Sequence, residues 1–143
     1  IIKRKNEKEK KTRMFTVNYL MLLLSKHAGF IPHPCLYISL KTHHAIGGYN
    51  TKFKYSSDFD YILRMLKLKG VKGKHVQVYT TKFRMHDESI TASGKLIADG
   101  KAVLEEHHYF SISPVIRFLG YYPQWIFYKI INLNHSYKLQ GYK

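Results

Sequence analysis

The residues of this sequence that are best suited to chemistry are two carboxylates, Asp58 and Asp60. The chain has 24 Lys and Arg against 9 Asp and Glu, so each acidic position is informative. Both follow Ser56 and Ser57, either of which is a good helix N-cap, and an apolar pattern with helical spacing continues to Gly70. A carboxylate there either stabilises the start of the helix or serves as a fixed general base. The residues alone leave both roles open.

A glycine pair and a proline pair determine the backbone upstream of these carboxylates. Gly47 and Gly48 are expected to close a short helix over residues 41–46 in the left-handed conformation. Further upstream, two prolines force an extended segment that leads into a predicted strand over residues 35–40. That strand begins with Cys35, the one cysteine of the chain, which we predict to be a buried small hydrophobe without an internal disulfide.

Other segments predict alternating strands and helices. Residues 75–81 alternate in polarity and contain β-branched residues, so they predict a strand, and residues 83–89 predict a loop. A helix is predicted over residues 92–109, weakened at Gly100. The apolar run over residues 14–24 is shorter than the roughly 20 residues that span a bilayer, and it predicts a buried helix.

The chain as a whole is basic and aromatic. Its formal net charge is +15, with 12 Tyr and 8 Phe, while an apolar fraction of 45% is normal for one globular domain. This balance predicts an anionic partner, which is a nucleic acid, a phosphorylated donor or an anionic membrane surface. No helix-turn-helix, RNA-recognition or zinc pattern appears in the sequence, which disfavours nucleic acid. The histidine pairs at 43–44 and 107–108 lack the spacing of metal ligands.

The two ends differ from the middle of the chain. Residues 1–13 are dominated by charge and predict a disordered leader, and the start at Ile instead of Met suggests that a segment precedes it. The last part is aromatic and basic. It predicts either a helix that lies in a membrane interface or a final helix that covers the core. The predicted domains are thus a leader (1–13), a central domain (14–110) and an amphipathic tail (111–143).

Several of these segments occur in the order and spacing of one known family. The chain resembles the C-terminal half of the family 2 glycosyltransferases, which build bacterial polysaccharides, over about residues 30 to 95. The matching pieces are an apolar His-Pro segment, a Gly-Gly-Tyr turn, an acidic helix start followed by Arg, and a Phe-Arg-x-His loop. In this sequence they are His33–Ile38, Gly47–Tyr49, Ser57–Arg64 and Phe83–Thr91. Each piece is weak alone, and the ordered set is fairly specific.

The resemblance implies a fold and an activity. The family has a GT-A fold, which is an α/β sandwich around a mostly parallel sheet, and the central domain would be its acceptor-side half. The implied reaction is inverting transfer of a sugar from a nucleotide-diphosphate donor to a hydroxyl group of a glycan or lipid-linked acceptor. The implied cofactor is Mg²⁺ or Mn²⁺. The implied location is the cytoplasm, with peripheral contact at the inner face of the membrane.

The resemblance also implies roles for single residues. Asp58 matches the general base of the family, which takes the proton of the acceptor hydroxyl. Asp60 would support the helix start or the acceptor pocket, and Arg64, one turn later, can pair with it. The other positions expected to contact acceptor or donor are His33, Gly47, Gly48, Arg84 and His86. His86 is also the one candidate for a metal contact.

The sequence departs from the family in two respects. The family's first half carries the Asp-x-Asp motif that holds the metal on the diphosphate, and it has no counterpart in this sequence. Asp58-Phe59-Asp60 opens a helix and is not interpreted as that motif, and Ser57 stands where many members have Glu. We therefore expect poor stability without a partner or a missing N-terminal half. The alternative hypotheses are a non-catalytic interaction module and a small basic nucleic-acid-binding protein.

Overall fold

The structure is a computed structural model that describes residues 2–4, 18–26, 31, 33–74, 76, 80–81, 83–85 and 95–133. Within these ranges the chain forms five α-helices, two short 3-10 helices and two three-residue strands. The α-helices are α1 (Tyr19–Ser25), α2 (Leu40–Ile46), α3 (Ser57–Lys67), α4 (Lys95–Glu106) and α5 (Pro114–Leu133). The 3-10 helices are His33–Cys35 and Tyr109–Ser111.

The strands β1 (Ile2–Arg4) and β2 (Phe83–Met85) pair in parallel. Because this short ladder is all the sheet that the described ranges contain, the predicted α/β architecture, and with it the GT-A fold, is wrong for these residues. Their class is all-α. β2 lies in the loop predicted over residues 83–89, so that prediction is wrong for its three residues. β1 lies in the segment predicted as a leader. The rest of that leader and of that loop lies outside the described residues.

Residues 35–40 do not form the predicted strand. The first of them ends the 3-10 helix His33–Cys35, and Ser39 already caps α2. The residues between them belong to no helix or strand and their burial alternates, with Leu36 and Ile38 packed against the core. No strand in the described ranges is hydrogen-bonded to these residues. The alternating burial of their side chains therefore occurs without a sheet. Of the strand predicted over residues 75–81, the three described residues are not in a strand either.

Cys35 is exposed and carries a free thiol, so the prediction of a buried cysteine is wrong. None of the three residues in its 3-10 helix is buried. The apolar residues that follow indicated burial. The proline-containing turn instead keeps this part of the chain at the surface, where connecting segments usually run.

Local hydrogen bonds begin and end the first two helices. The Oδ1 of Asn18 accepts from the N–H of Met21 at 2.9 Å and begins α1, and the Oγ of Ser39 accepts from the N–H of Thr42 at 3.1 Å and begins α2. Gly47 ends α2 in the left-handed conformation at φ 83°. The predicted short helix and its glycine cap are therefore confirmed.

The core lies between α1, α3 and α4. α1 contributes three consecutive buried leucines, which confirms a buried helix at this place, and α3 contributes an apolar face at helical spacing. The α3 helix begins where its serines predict, and α4 confirms the greater part of the helix predicted over residues 92–109. The main buried apolar residues of these helices and of the following turn are Leu22, Leu23, Leu24, Phe59, Ile62, Leu63, Val103, Leu104 and Tyr109.

α5 occupies the predicted tail and packs one side against α1. At Gly120 the two helices pack so closely that an added Cβ atom would collide with the side chain of Leu24. Many side chains on the other side of α5 are exposed. Among the helices of the described ranges, none combines the length and the apolar character needed to cross a bilayer.

Two helical glycines provide a matched test of this packing. We expect Gly120→Ala to lower the free energy of unfolding by about 1–3 kcal/mol, because the added Cβ collides with the buried Leu24. Gly100→Ala, within α4, adds a Cβ that would lie 3.8 Å from the Oγ of Ser56, which is an ordinary van der Waals contact. It is expected to stabilise the protein by about 0.5–1 kcal/mol through helix propensity. Urea unfolding measures both, and equal effects would contradict the close packing of α1 and α5.

Candidate functional site

Asp58 lies in the first turn of α3 and is half-buried. Its Oδ1 accepts a hydrogen bond from the N–H of Phe59 at 2.8 Å. Within the part of the chain that the structure describes, no Lys, Arg or His forms an ion pair with this carboxylate. Asp58 is therefore a positioned carboxylate that no described cation neutralises.

Asp60 has the opposite surroundings. It is 1% exposed, and each of its oxygens has a partner. Oδ2 accepts from the Nε of Arg64 at 2.8 Å, and Oδ1 lies 3.0 Å from the Nε2 of His107. The predicted pairing of Asp60 with Arg64 is confirmed. The Asp60 carboxylate thus joins α3 to the residue that follows α4.

Arg64 fixes the Gly-Gly turn to α3. Its two terminal nitrogens donate to the carbonyl oxygens of Ile46 at 2.6 Å and of Gly48 at 2.8 Å. Gly47 and Gly48 both have positive φ angles, 83° and 79°, which glycine adopts without strain and which leave these carbonyls near the guanidinium. The spacing of the sequence motif thus has a structural reason, because the arginine reaches the turn while its own position is held by Asp60.

A third carboxylate holds the segment that leads into α3. The Oδ2 of Asp99, on α4, accepts from the backbone N–H groups of Tyr55 and Ser56, the latter at 2.8 Å. Ser56 occupies the N-cap position, but its side chain makes no capping hydrogen bond. The start of α3, and with it Asp58, is therefore positioned by a carboxylate of a neighbouring helix.

Aromatic and histidine side chains lie beside the Gly-Gly turn. The ring of Tyr49 stacks on that of Tyr61 with centroids 4.5 Å apart and planes at 24°. The Tyr61 hydroxyl lies 2.8 Å from the Nδ1 of His43, and the Tyr49 hydroxyl is hydrogen-bonded to the Nε2 of His33. Burial, and secondly Tyr49, raises the pKa of Tyr61, so its hydroxyl stays protonated. Tyr49 is 46% exposed and covers Tyr61 from solvent.

His107 is a buried, neutral imidazole in this network. Burial lowers its pKa below the ordinary value, and Lys67 also lowers it, while the hydrogen bond to Asp60 opposes both. The carboxylate can only accept, so Nε2 carries the proton. Nδ1 then accepts from the Tyr19 hydroxyl at 3.3 Å. This tautomer satisfies both ring nitrogens.

The lowered pKa predicts a pH-dependent stability. The unfolded chain binds a proton at His107 more readily than the folded chain does. The contribution of neutral His107 to the free energy of unfolding is therefore present above about pH 6.5, the unperturbed pKa, and is lost as the pH falls below that value. We expect the free energy of unfolding to decrease from pH 7.5 to pH 5, and His107→Gln to reduce that decrease. Urea unfolding at both pH values measures it. His44→Gln replaces an exposed histidine of α2 and serves as the matched control.

The described residues do not fit the Mg²⁺ or Mn²⁺ that the family resemblance implies. Such cations take several oxygen ligands. The described ranges contain no group of three or more His, Cys, Asp or Glu side chains that could hold a metal ion. Asp60 is engaged by Arg64 and His107, which leaves Asp58 as a single carboxylate. No step of a reaction is therefore assigned to a metal held by these residues.

The structure brings together some of the sequence-predicted residues. His33, Gly48, Asp60 and Arg64 lie in one connected set of contacts that runs through Tyr49 and Tyr61. Gly47 lies in the same turn as Gly48, and Asp58 lies in the first turn of α3. Arg84 lies in β2 but its side chain, like the whole of His86, falls outside the described residues. Their expected contacts with the donor, the acceptor or a metal stay predictions.

Sequence reasoning missed Asp99 and His107. A signal for Asp99 was present, because it is one of only nine acidic residues in the chain. His107 gave no such signal, since it stands beside a second histidine and 47 positions from its partner Asp60.

Compared with family models, with curated proteins and with solved structures, the chain shows no match in any of the three. Its function must therefore be inferred from the residues of the site and from their contacts.

Proposed function

We propose that this chain is the C-terminal, acceptor-side portion of an inverting glycosyltransferase and that Asp58 is its general base. In this reaction the oxygen of an acceptor hydroxyl attacks the anomeric carbon of a nucleotide-diphosphate sugar. The new oxygen–carbon bond forms on one face of the sugar while the bond to the diphosphate breaks on the other. The nucleoside diphosphate leaves with the electron pair, and the hydroxyl proton passes to Asp58.

The contrast between the two carboxylates of α3 carries this proposal. Asp60 is buried between Arg64 and His107 and is fully engaged inside the protein. Asp58 is half-buried, and no cation among the described residues pairs with it. One carboxylate therefore holds the site together, while the other is left to act on a substrate.

The supports on either side of Asp58 suit a general base. A base must lie within hydrogen-bond reach of the proton that it removes, so its backbone has to be fixed. Arg64 ties α3 to the Gly-Gly turn, and Asp99 ties the residues before α3 to α4. Both contacts act on the backbone around Asp58 and leave its carboxylate without a cationic partner among the described residues.

The exposed ring of Tyr49 supports a sugar as the acceptor. Tyr49 stacks on Tyr61, and Tyr61 follows Asp58 by three positions, so both lie toward one side of α3. The outer face of an exposed aromatic ring offers apolar area to the C–H face of a sugar ring. Polar groups of His33 and His43 next to the rings offer hydrogen bonds to its hydroxyls.

The donor side of the reaction is assigned no residue in the described ranges. The proposal names a nucleotide-diphosphate sugar as donor, and a glycan or lipid-linked sugar as acceptor, by family resemblance. Because such donors are made in the cytoplasm, we infer that the reaction occurs there. One cysteine without an internal disulfide is compatible with that reducing compartment.

A transfer assay on the complete gene product tests the proposal. Purified protein is incubated with a panel of nucleotide-diphosphate sugars and with glycan and lipid-linked acceptors, and the released nucleoside diphosphate is measured. We expect release that depends on one class of donor and increases with acceptor, together with a product of the corresponding mass. Absence of release with every donor, combined with DNA or RNA binding that falls steeply with salt, would make the chain a nucleic-acid-binding protein instead.

A further inference from the structure

An exposed apolar surface runs along the side of α5 that faces away from α1. Its members recur at helical spacing, and each is between 45% and 64% exposed. At 3.6 residues per turn they cover about 140° of the helix circumference. This apolar stripe consists of Val115, Phe118, Leu119, Tyr122, Trp125, Ile126 and Ile130.

The opposite side of α5 is held by the protein, which fixes the direction of the apolar stripe. Gly120 packs against Leu24 of α1, and the Arg117 guanidinium lies 5.2 Å from the ring centroid of Tyr109. Tyr121 lies 4.9 Å from the ammonium group of Lys26. The helix is therefore seated on one side, and a contiguous exposed patch on the other side of such a helix marks an interaction surface.

The charge of the chain indicates which kind of partner covers the apolar stripe. No Asp or Glu follows Glu106 in the sequence, whereas four basic residues do: Arg117, Lys129, Lys138 and Lys143. The whole chain carries a formal net charge of +15. A second copy of the chain would bring the same positive charge to the contact and be repelled, while an anionic surface would be attracted.

We propose that the apolar stripe of α5 docks on the surface of an anionic lipid bilayer. Trp and Tyr side chains favour the interface between headgroups and hydrocarbon, and Phe, Leu and Ile enter the adjoining apolar layer. A helix seated on its protein along one side presents the stripe parallel to that surface. The positive charge of the chain adds an electrostatic attraction to anionic headgroups. This proposal does not depend on the glycosyltransferase assignment.

Trp125 makes the test direct, because it is the one tryptophan of the chain and belongs to the stripe. The full chain is mixed with vesicles of phosphatidylcholine alone or with phosphatidylglycerol added. We expect a blue shift of Trp125 fluorescence and co-sedimentation with the anionic vesicles, at least about ten-fold tighter than with the neutral ones. Raising the salt to about 0.5 M should weaken the binding, because it screens the headgroup charge.

Paired variants distinguish binding through the apolar stripe from nonspecific hydrophobic binding. The double variant Leu119→Ser, Ile126→Ser should bind anionic vesicles about ten-fold more weakly or worse, because each substitution removes apolar area that would be buried in the bilayer. Ile97→Ser, which changes a 78% exposed residue on α4, should leave it unchanged, and circular dichroism confirms that each variant is folded. The proposal is overturned if Trp125 fluorescence is the same with both vesicles. It is overturned equally if the blue shift appears without lipid and grows with protein concentration, since the stripe would then bind a second copy.

Discussion

Replacing Arg64 with methionine is expected to lower the free energy of unfolding by about 3 kcal/mol. Removing one partner of a buried ion pair usually costs about 3–5 kcal/mol, because the other charge is left without compensation. Asp60 is 1% exposed, so water cannot replace the lost partner. Because His107 still donates a hydrogen bond to Asp60, we expect a loss at the lower end of that range. The same substitution frees the carbonyl groups of Ile46 and Gly48. Urea unfolding followed by circular dichroism at pH 7.5 measures the loss.

Two further variants show whether the loss comes from the contacts of Arg64. Arg64→Lys keeps the charge but lacks the planar guanidinium that reaches Asp60 and the turn together. Its free energy of unfolding should therefore lie between those of Arg64→Met and the unaltered protein. Lys101→Met removes another helical ion pair, with Glu105 at 3.9 Å, whose partners are 68% and 58% exposed. It should cost less than about 0.5 kcal/mol. If Arg64→Met were as stable as the control, the turn would not depend on this arginine.

Asp58→Asn is expected to lower turnover of the transfer reaction by about two to four orders of magnitude, the usual contribution of a general base. Asparagine has nearly the shape of aspartate, and its side-chain oxygen can still accept from the N–H of Phe59. It cannot take the proton of the acceptor hydroxyl. Steady-state measurement of nucleoside diphosphate release on the complete gene product gives the ratio, and KM for the acceptor should change little.

Comparison with Asp60→Asn distinguishes the base from the carboxylate that supports it. Asp60→Asn should destabilise the folded protein, because Arg64 and His107 lose a buried anionic partner, whereas Asp58→Asn should unfold at nearly the same urea concentration as the unaltered protein. Glu105→Gln changes an exposed carboxylate on α4 and should affect neither property. Unchanged turnover in Asp58→Asn would remove this residue from the proposed role.

Local signals in the sequence were sufficient for the elements that carry the site. Gly47 ends α2 as its backbone preference requires, and the apolar spacing after Ser57 gives α3. The pairing of Asp60 with Arg64 follows from a separation of four residues, which puts both on one side of a helix. Such features depend on neighbours in the chain, so the sequence expresses them directly.

Features that depend on distant residues could not be predicted in this way. The run from Cys35 to Leu40 has the composition of a strand, but a strand needs a partner, and an apolar run of that length fits other structures equally well. The capping of α3 by Asp99 joins positions 43 residues apart, and the contact between His107 and Asp60 joins positions 47 apart. Only the packing of α4 against α3 creates them, so helix positions alone gave no reason to connect these residues.

Because Cys35 is exposed, the chain contains both positions that a resonance energy transfer measurement needs. Its one thiol, at the surface, accepts a single dye, and its one tryptophan, in α5, serves as the donor. No residue has to be replaced to obtain a distance between the two labelled regions. Cys35 lies two residues from His33, whose side chain is hydrogen-bonded to Tyr49. The emission of the dye can therefore report a molecule that approaches the Gly-Gly turn, while the tryptophan reports events at α5.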